Sequence, residues 1–338
     1  MTARTSNLRL GFIGHGRHAR ANLYPAIALA GHTLTAVATR DTARAEAAAA
    51  LHGADRGYGD HRRMLAEEDL EAVFISIDPA DQVAVTIDCL EAGAHVFVEK
   101  PLGMNEDEAS QVARAAERCG RQVMVGFMKR HAPAYTGLAE LIRDTGRFGP
   151  VMSFTSFFAF SPWTDELRDD TGLRLAAVHI VDLVRFLFGE VREVTGYNNS
   201  RGADISMTCA VRCDSGAIGS LTFAAAPSWS REQEELTVTG RTGFARVENL
   251  TDLVSHHHAP GDAAADAWQR PQETTVVRRA ANSPASGGHR DLYLRGFAGE
   301  VAHFLECVNT SRTPISSAAD NVATMALCDD ILRSLGRL

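Results

Sequence analysis

Short apolar runs alternate with amphipathic stretches through the first third of the chain. LRLGFIG (8–14), LTAVATR (34–40), AVFISI (72–77), HVFVEK (95–100) and QVMVGF (122–127) are rich in β-branched and aromatic residues and predict strands. Between them TARAEAAAALHG, DQVAVTIDCLEAG and NEDEASQVARAAERCG predict helices, the last two closed by a glycine. Strand and helix in strict alternation build a parallel sheet with right-handed crossovers and helices on both faces, and continuous apolar strands fit burial on both sides.

Beyond about residue 126 the pattern changes. VMSFTSFFAF, EVTGYNN, ISMTCAVRC, AIGSLTFAAAP, EELTVTG and GFARVEN follow one another with short turns, which predicts a large, open, mainly antiparallel sheet. One long helix interrupts them, LRLAAVHIVDLVRFLFG (173–189), apolar nearly all round and therefore expected to be buried. The His-, Ala-, Pro-, Gly- and Ser-rich stretch 255–290 reads as a long loop or flap, and two amphipathic helices close the chain. The expected class is α/β with two domains: a Rossmann domain over 1–125, and an α+β domain over 126–338 whose C-terminal helices pack back on the first.

Composition narrows the partners. A formal charge of −8 offers no global field for nucleic acid or an anionic membrane, and 45% hydrophobic with 22% charged residues is ordinary for a globular protein. No apolar run resembles a signal peptide or a membrane span, which predicts a cytoplasmic protein. Six scattered cysteines, without a CxxC pair, read as reduced and mostly buried thiols. The triple histidine at 256–258 has no carboxylates at ligand spacing and reads as a solvated loop, so no metal site is expected.

The first strand leads into Gly14, His15, Gly16, Arg17, His18 and Ala19, a GxGxxA turn from strand to helix. Such glycines permit a tight turn and the close approach of a pyrophosphate, and the helix N-terminus offers amides to the anion. Gly14, Gly16, Arg17 and His18 are thus expected at a dinucleotide. Pro25, inside the following helix, should end or kink it near Tyr24. At the tip of the second strand Thr39 is neutral and Arg40 can fork a phosphate, which favours NADP; Asp41 turned inward would suit NAD.

The strings GFIGHGRHA, LEAGAHVFVEKPLG (90–103), VMVGFMKRHAPAY (123–135) and VHIVDLVRFLFGE (178–190) together resemble the Gfo/Idh/MocA oxidoreductases over nearly the whole chain. The resemblance implies NAD(P)-dependent hydride transfer on a hydroxyl or carbonyl of a sugar, inositol or activated ketosugar, in a homodimer or homotetramer. Lys100 is then expected over the nicotinamide, polarising the substrate oxygen, before a cis Lys100–Pro101 bond. Glu99, Pro79 and Gln82 fall on the cofactor side, and His179 becomes the proton donor and acceptor. Asp182, on the same helix face, would orient His179 or bind a substrate hydroxyl; Arg130, beside Lys129, and Trp163 would border the substrate.

Three departures stand out. Leu175 replaces an acidic residue that many members carry four positions before the histidine, Gln82 stands near a position where many have histidine, and His131 replaces an aromatic. The loss at Leu175 leaves open a dinucleotide-binding regulator that does not turn over. The family's redox-assisted elimination or glycoside cleavage is a further alternative.

Overall fold

The computed structural model describes residues 8–257, 274–280 and 289–338. The chain divides into two compact units, Met1–Met128 with Gly296–Ala326, and Lys129–Arg295 with Leu327–Leu338.

The first unit is built on six strands, β1 (Leu10–Ile13), β2 (Ala36–Ala38), β3 (Arg56–Tyr58), β4 (Ala72–Ile75), β5 (His95–Glu99) and β6 (Val123–Gly126). Their order is β3-β2-β1-β4-β5-β6 and every pairing is parallel. The order reverses beside β1, which leaves a crevice at the carboxyl ends of β1 and β4. β1 and β4 are buried at every position, as strands covered on both faces must be. Helices α1 (Tyr24–Leu29), α2 (Thr42–His52), α3 (His61–Glu67), α4 (Pro79–Glu91) and α5 (Glu106–Cys119) connect the strands. Phe12, Phe74 and Phe97 pack along the sheet, and Phe304 lies edge-on against Phe74 with ring centroids 5.3 Å apart.

Pro25 does not end the first helix. Winding widens to a π-turn over Ala19–Leu23, and Pro25 falls in the opening turn of α1, where its missing N–H leaves no bond unmade. The sequence pattern also misses β3, a three-residue edge strand without an apolar run.

In the second unit come helix α6 (Pro133–Arg143), strand β7 (Val151–Phe160) and helices α7 (Asp169–Gly172) and α8 (Val178–Phe188). Strands β8 (Val191–Asn198), β9 (Ile205–Cys213), β10 (Ile218–Ala225), β11 (Gln233–Gly240), β12 (Gly243–Glu248), β13 (Asp252–His257) and β14 (Thr274–Arg279) complete its sheet, ordered β14-β13-β12-β11-β7-β10-β9-β8. Within this second sheet only β7 and β10 pair in parallel among the described strands. β9 alternates buried and exposed residues along its length, the period of a sheet covered on one face. Cys209 and Cys213 share its buried side, where burial pushes both thiols up to about 11. Phe188 of α8 stacks on Phe154 of β7 at 4.1 Å between centroids, which fixes the helix on the sheet.

The stretch expected as a loop contains strand. Residues 255–257 extend β13, and 274–279 form β14 against it; the remainder of 255–290, apart from 280 and 289–290, lies outside the described residues, as does His258. His256 stacks on Phe244, 5.1 Å between centroids, and hydrogen-bonds Thr275, so ladder pairing rather than solvent claims it. Helices α9 (Arg290–Leu294), α10 (Phe297–Thr310) and α11 (Ala318–Ser334) end the chain. No described helix is long and apolar enough to cross a membrane.

Candidate functional site

A cavity of about 700 Å³ opens over the carboxyl ends of β1, β2 and β4 in the first unit. Gly14, Gly16, Arg17, His18, Thr39 and Arg40 all line it. Gly14 has φ +108°, and a Cβ there would lie 2.1 Å from the Ser76 carbonyl oxygen, so the turn itself requires glycine. Gly16 is different: a Cβ would meet nothing within 4 Å. Packing within the protein does not explain the absence of a side chain at Gly16; the open space beside it, next to the amides at the start of the following helix, fits a pyrophosphate. The residues present therefore fit a dinucleotide.

Behind the glycine turn, Tyr24 donates to the Gly14 carbonyl at 2.9 Å and stacks on His52, 3.9 Å between centroids. His15 and His52 face each other with Nε2 atoms 3.2 Å apart. Burial first, then neighbouring positive groups, lowers both imidazoles from their ordinary range, which keeps the pair neutral so that one ring donates to the other.

At the tip of β2 the Asp41 side chain accepts the Arg44 amide at 2.7 Å and so caps α2, while Thr39 Oγ1 donates to the Asp41 carbonyl. The cap spends one carboxylate oxygen of Asp41 on the helix. Arg40 is exposed, with Asp81 3.9 Å away. Arg44, which sequence reasoning did not single out, lines the same cavity and donates to the His15 carbonyl at 2.8 Å. The arginine three residues past the strand-tip Asp was its available signal. Asp60, His61, Arg62 and Asp88 form the far wall, with Asp88 accepting from His61 at 2.8 Å and Arg62 at 3.0 Å.

The EKP segment closes β5. Lys100–Pro101 is cis, as the family resemblance implies. Glu99 is buried, and its carboxylate accepts from His18 Nε2 at 2.8 Å and from the Lys100 amide at 3.3 Å. Asn22 lies 3.1 Å from His18 Nδ1 and donates to it, so Nε2 carries the ring proton that faces Glu99. Gln82, Glu99 and Lys100 are not in the cavity lining. Pro79 is not either; it opens α4 behind the Asp78 cap. Gln82 is buried, with its carboxamide against the Glu99 and Pro101 carbonyls of the EKP turn.

Lys100 has another distinction. Of the chain's 34 basic residues only two are lysine, Lys100 and Lys129. Arginine serves everywhere else, so these two positions are where the chain carries a compact ammonium instead of a planar guanidinium.

In the second unit His179 and Asp182 lie one turn apart on α8, directly after a π-turn over Leu173–Ala177 that contains Leu175. Both Asp182 oxygens accept from Arg130, at 2.6 and 2.8 Å, and the two side chains are 1% and 3% exposed. Arg130 also lies over the Phe186 ring. The pair forms because each buried charge needs a partner and finds the other. Lys129 is likewise buried, held by Glu234, which also accepts from Tyr135. Trp163 stands 55% exposed beside Phe160.

Comparison with known proteins follows these features. Residues 8–127 match the model of an oxidoreductase family with an NAD-binding Rossmann fold, and residues 137–246 match the GFO/IDH/MocA C-terminal domain. The chain is similar to D-xylose 1-dehydrogenase (NADP(+)) 2 of Haloferax volcanii, 28% identical over 97% of each chain. It is also similar to scyllo-inositol 2-dehydrogenase (NAD(+)) of Bacillus subtilis, 25% identical over 94% of this chain and 89% of that protein. Among solved structures, levoglucosan dehydrogenase in complex with NADH shares the fold with a TM-score of 0.84 at 20% identity, covering 98% of both chains.

Proposed function

The chain belongs to the GFO/IDH/MocA family of oxidoreductases, and on that footing we propose that it is an NAD(P)-dependent dehydrogenase of sugars or polyols. The observation that carries the reading is the glycine cradle at Gly14 and Gly16 in a chain that keeps lysine at the EKP turn and histidine on α8. Relatives that act on xylose and scyllo-inositol supply the substrate class.

The nicotinamide, when bound, takes or returns the hydride at the carbinol carbon. The chain's residues handle the rest of the balance. Gly14 and Gly16 let the backbone approach the pyrophosphate, and the helix start behind them faces its charge. In the oxidative direction His179 is the group proposed to take a proton, and the Lys100 ammonium the group proposed to stabilise developing negative charge. Asp182, by holding Arg130, anchors the α8 face that carries His179. Assaying the purified protein against a panel of aldoses, inositols and other polyols, following NADPH and NADH absorbance, tests the reading. Turnover of at least one polyol is expected, with Lys100→Met lowering it by about 10² to 10³-fold while dinucleotide still binds. Silence across the panel with either cofactor refutes the reading.

NADP is the preferred cofactor in this proposal. Asp41 is engaged as a helix cap, and the neutral Thr39 leaves Arg40 to meet a 2′-phosphate. Arg40→Ala should weaken NADP binding by about 1.5–3 kcal/mol, the worth of one charge-assisted contact, and leave NAD binding nearly unchanged. Calorimetric titration with both dinucleotides measures the difference; an equal loss for both would remove Arg40 from the phosphate.

A further inference from the structure

We propose that Gln82 is a positioning residue for Lys100, its carboxamide gripping the backbone on both sides of that residue and so setting where the ammonium points. The inference rests, for its kinetic part, on the dehydrogenase reading above.

Gln82 is 1% exposed on α4. The end of its carboxamide that faces the turn lies 2.6 Å from the Glu99 carbonyl oxygen and 2.9 Å from the Pro101 carbonyl oxygen. Carbonyl oxygens only accept, so the group facing them must be the NH₂, and its two hydrogens serve one carbonyl each. One side chain thereby spans the residue immediately before Lys100 and the residue immediately after it. From the other side the Glu99 carboxylate receives the Lys100 amide and is itself held by His18. The two ties are independent. Glu99 fixes the amide of Lys100, and Gln82 fixes the two flanking carbonyls.

The leverage of this arrangement comes from the length of lysine. Its ammonium sits at the end of a flexible four-carbon stem, so a small rotation of the turn moves the charge further than it moves the backbone. A catalytic charge displaced by about 1 Å can lose on the order of 10²-fold in rate. The carboxamide of Gln82 meets the backbone of the EKP turn, so its loss should act on the lysine more than on dinucleotide affinity. Its place near a position where relatives carry histidine suggested a cofactor contact; the buried amide assigns it to the turn.

The scarcity of lysine supplies a direct test. Protein labelled selectively with ¹⁵N-lysine has two lysine backbone amide signals, from Lys100 and Lys129, separable by a Lys129→Arg reference. Gln82→Met keeps the side-chain volume and removes both donors. It should shift the Lys100 signal, leave that of Lys129 in place, and slow single-turnover hydride transfer by about 10- to 100-fold with the dinucleotide Kd within about twofold. A role in filling space alone would tolerate methionine. An unmoved Lys100 signal, or a wild-type rate of hydride transfer in the variant of an active enzyme, overturns the assignment. If the unmodified chain oxidises no polyol at all, the dehydrogenase reading falls, and the Lys100 signal alone decides whether Gln82 holds the turn.

Discussion

His179→Ala should lower the rate of hydride transfer by about 10² to 10⁴-fold, the span of a lost general acid–base, and remove one limb of the pH–rate profile. His179 is carried by α8, whose apolar positions anchor the helix on the second unit's sheet through Phe188 and Phe154. The π-turn at Leu173–Ala177 falls immediately before it, and such widened turns often mark sites where a side chain must be re-aimed. Leu175 lies in that turn, so no carboxylate there can share or store the proton. Single-turnover measurements at saturating dinucleotide, from about pH 5 to pH 9, separate the chemical step from binding. A pH limb that survives the substitution would transfer the proton to another group. Unchanged dinucleotide affinity in the variant is part of the expectation, because every residue lining the cavity proposed for it belongs to the first unit.

The second large effect is on stability. Asp182 and Arg130 neutralise each other with 1% and 3% exposure, so Asp182→Ala strands a guanidinium in the interior. Breaking a buried pair in this way typically costs about 3–5 kcal/mol, whereas replacing both partners with apolar residues of similar size is often close to neutral. The expected result is a marked fall in the urea midpoint of Asp182→Ala and substantial recovery in Arg130→Met/Asp182→Leu. Recovery of stability without recovery of rate in the double variant would show that the pair also anchors His179, one helical turn away. A single variant as stable as the parent would mean that water or another acid reaches Arg130.

Much of the molecule is legible in the chain itself because its signals are local. β1, β4 and β5 are unbroken apolar runs, and burial on both faces of a parallel sheet demands that pattern. The GxGxxA turn is equally readable, since Gly14 answers to a backbone angle that few other residues tolerate. β3 escaped because a three-residue edge strand needs no apolar pattern. β13 and β14 escaped because DLVSHH and TTVVRR carry His and Arg, and only pairing with each other and with β12 makes them strands. The π-turn that absorbs Pro25 was hidden for a related reason: a rule about single residues treats proline as a break, whereas a helix can widen ahead of it.

The candidates for chemistry were already visible along the chain: the glycines of the turn, Lys100 before proline, and His179 with Asp182 three positions later on one helix. Residue type and spacing mark the glycine turn, whereas the roles of Lys100 and His179 are what the family resemblance implies. Only the tertiary structure decided how those groups are employed. Asp182 takes Arg130 from 52 positions away, Glu99 takes His18 from 81, and Gln82 grips two carbonyl oxygens that every residue possesses and no sequence can mark. The physical reason is the same in each case: a buried charge or amide must be satisfied by whatever donor or acceptor the fold brings within about 3 Å, and that choice is made by packing, not by proximity along the chain.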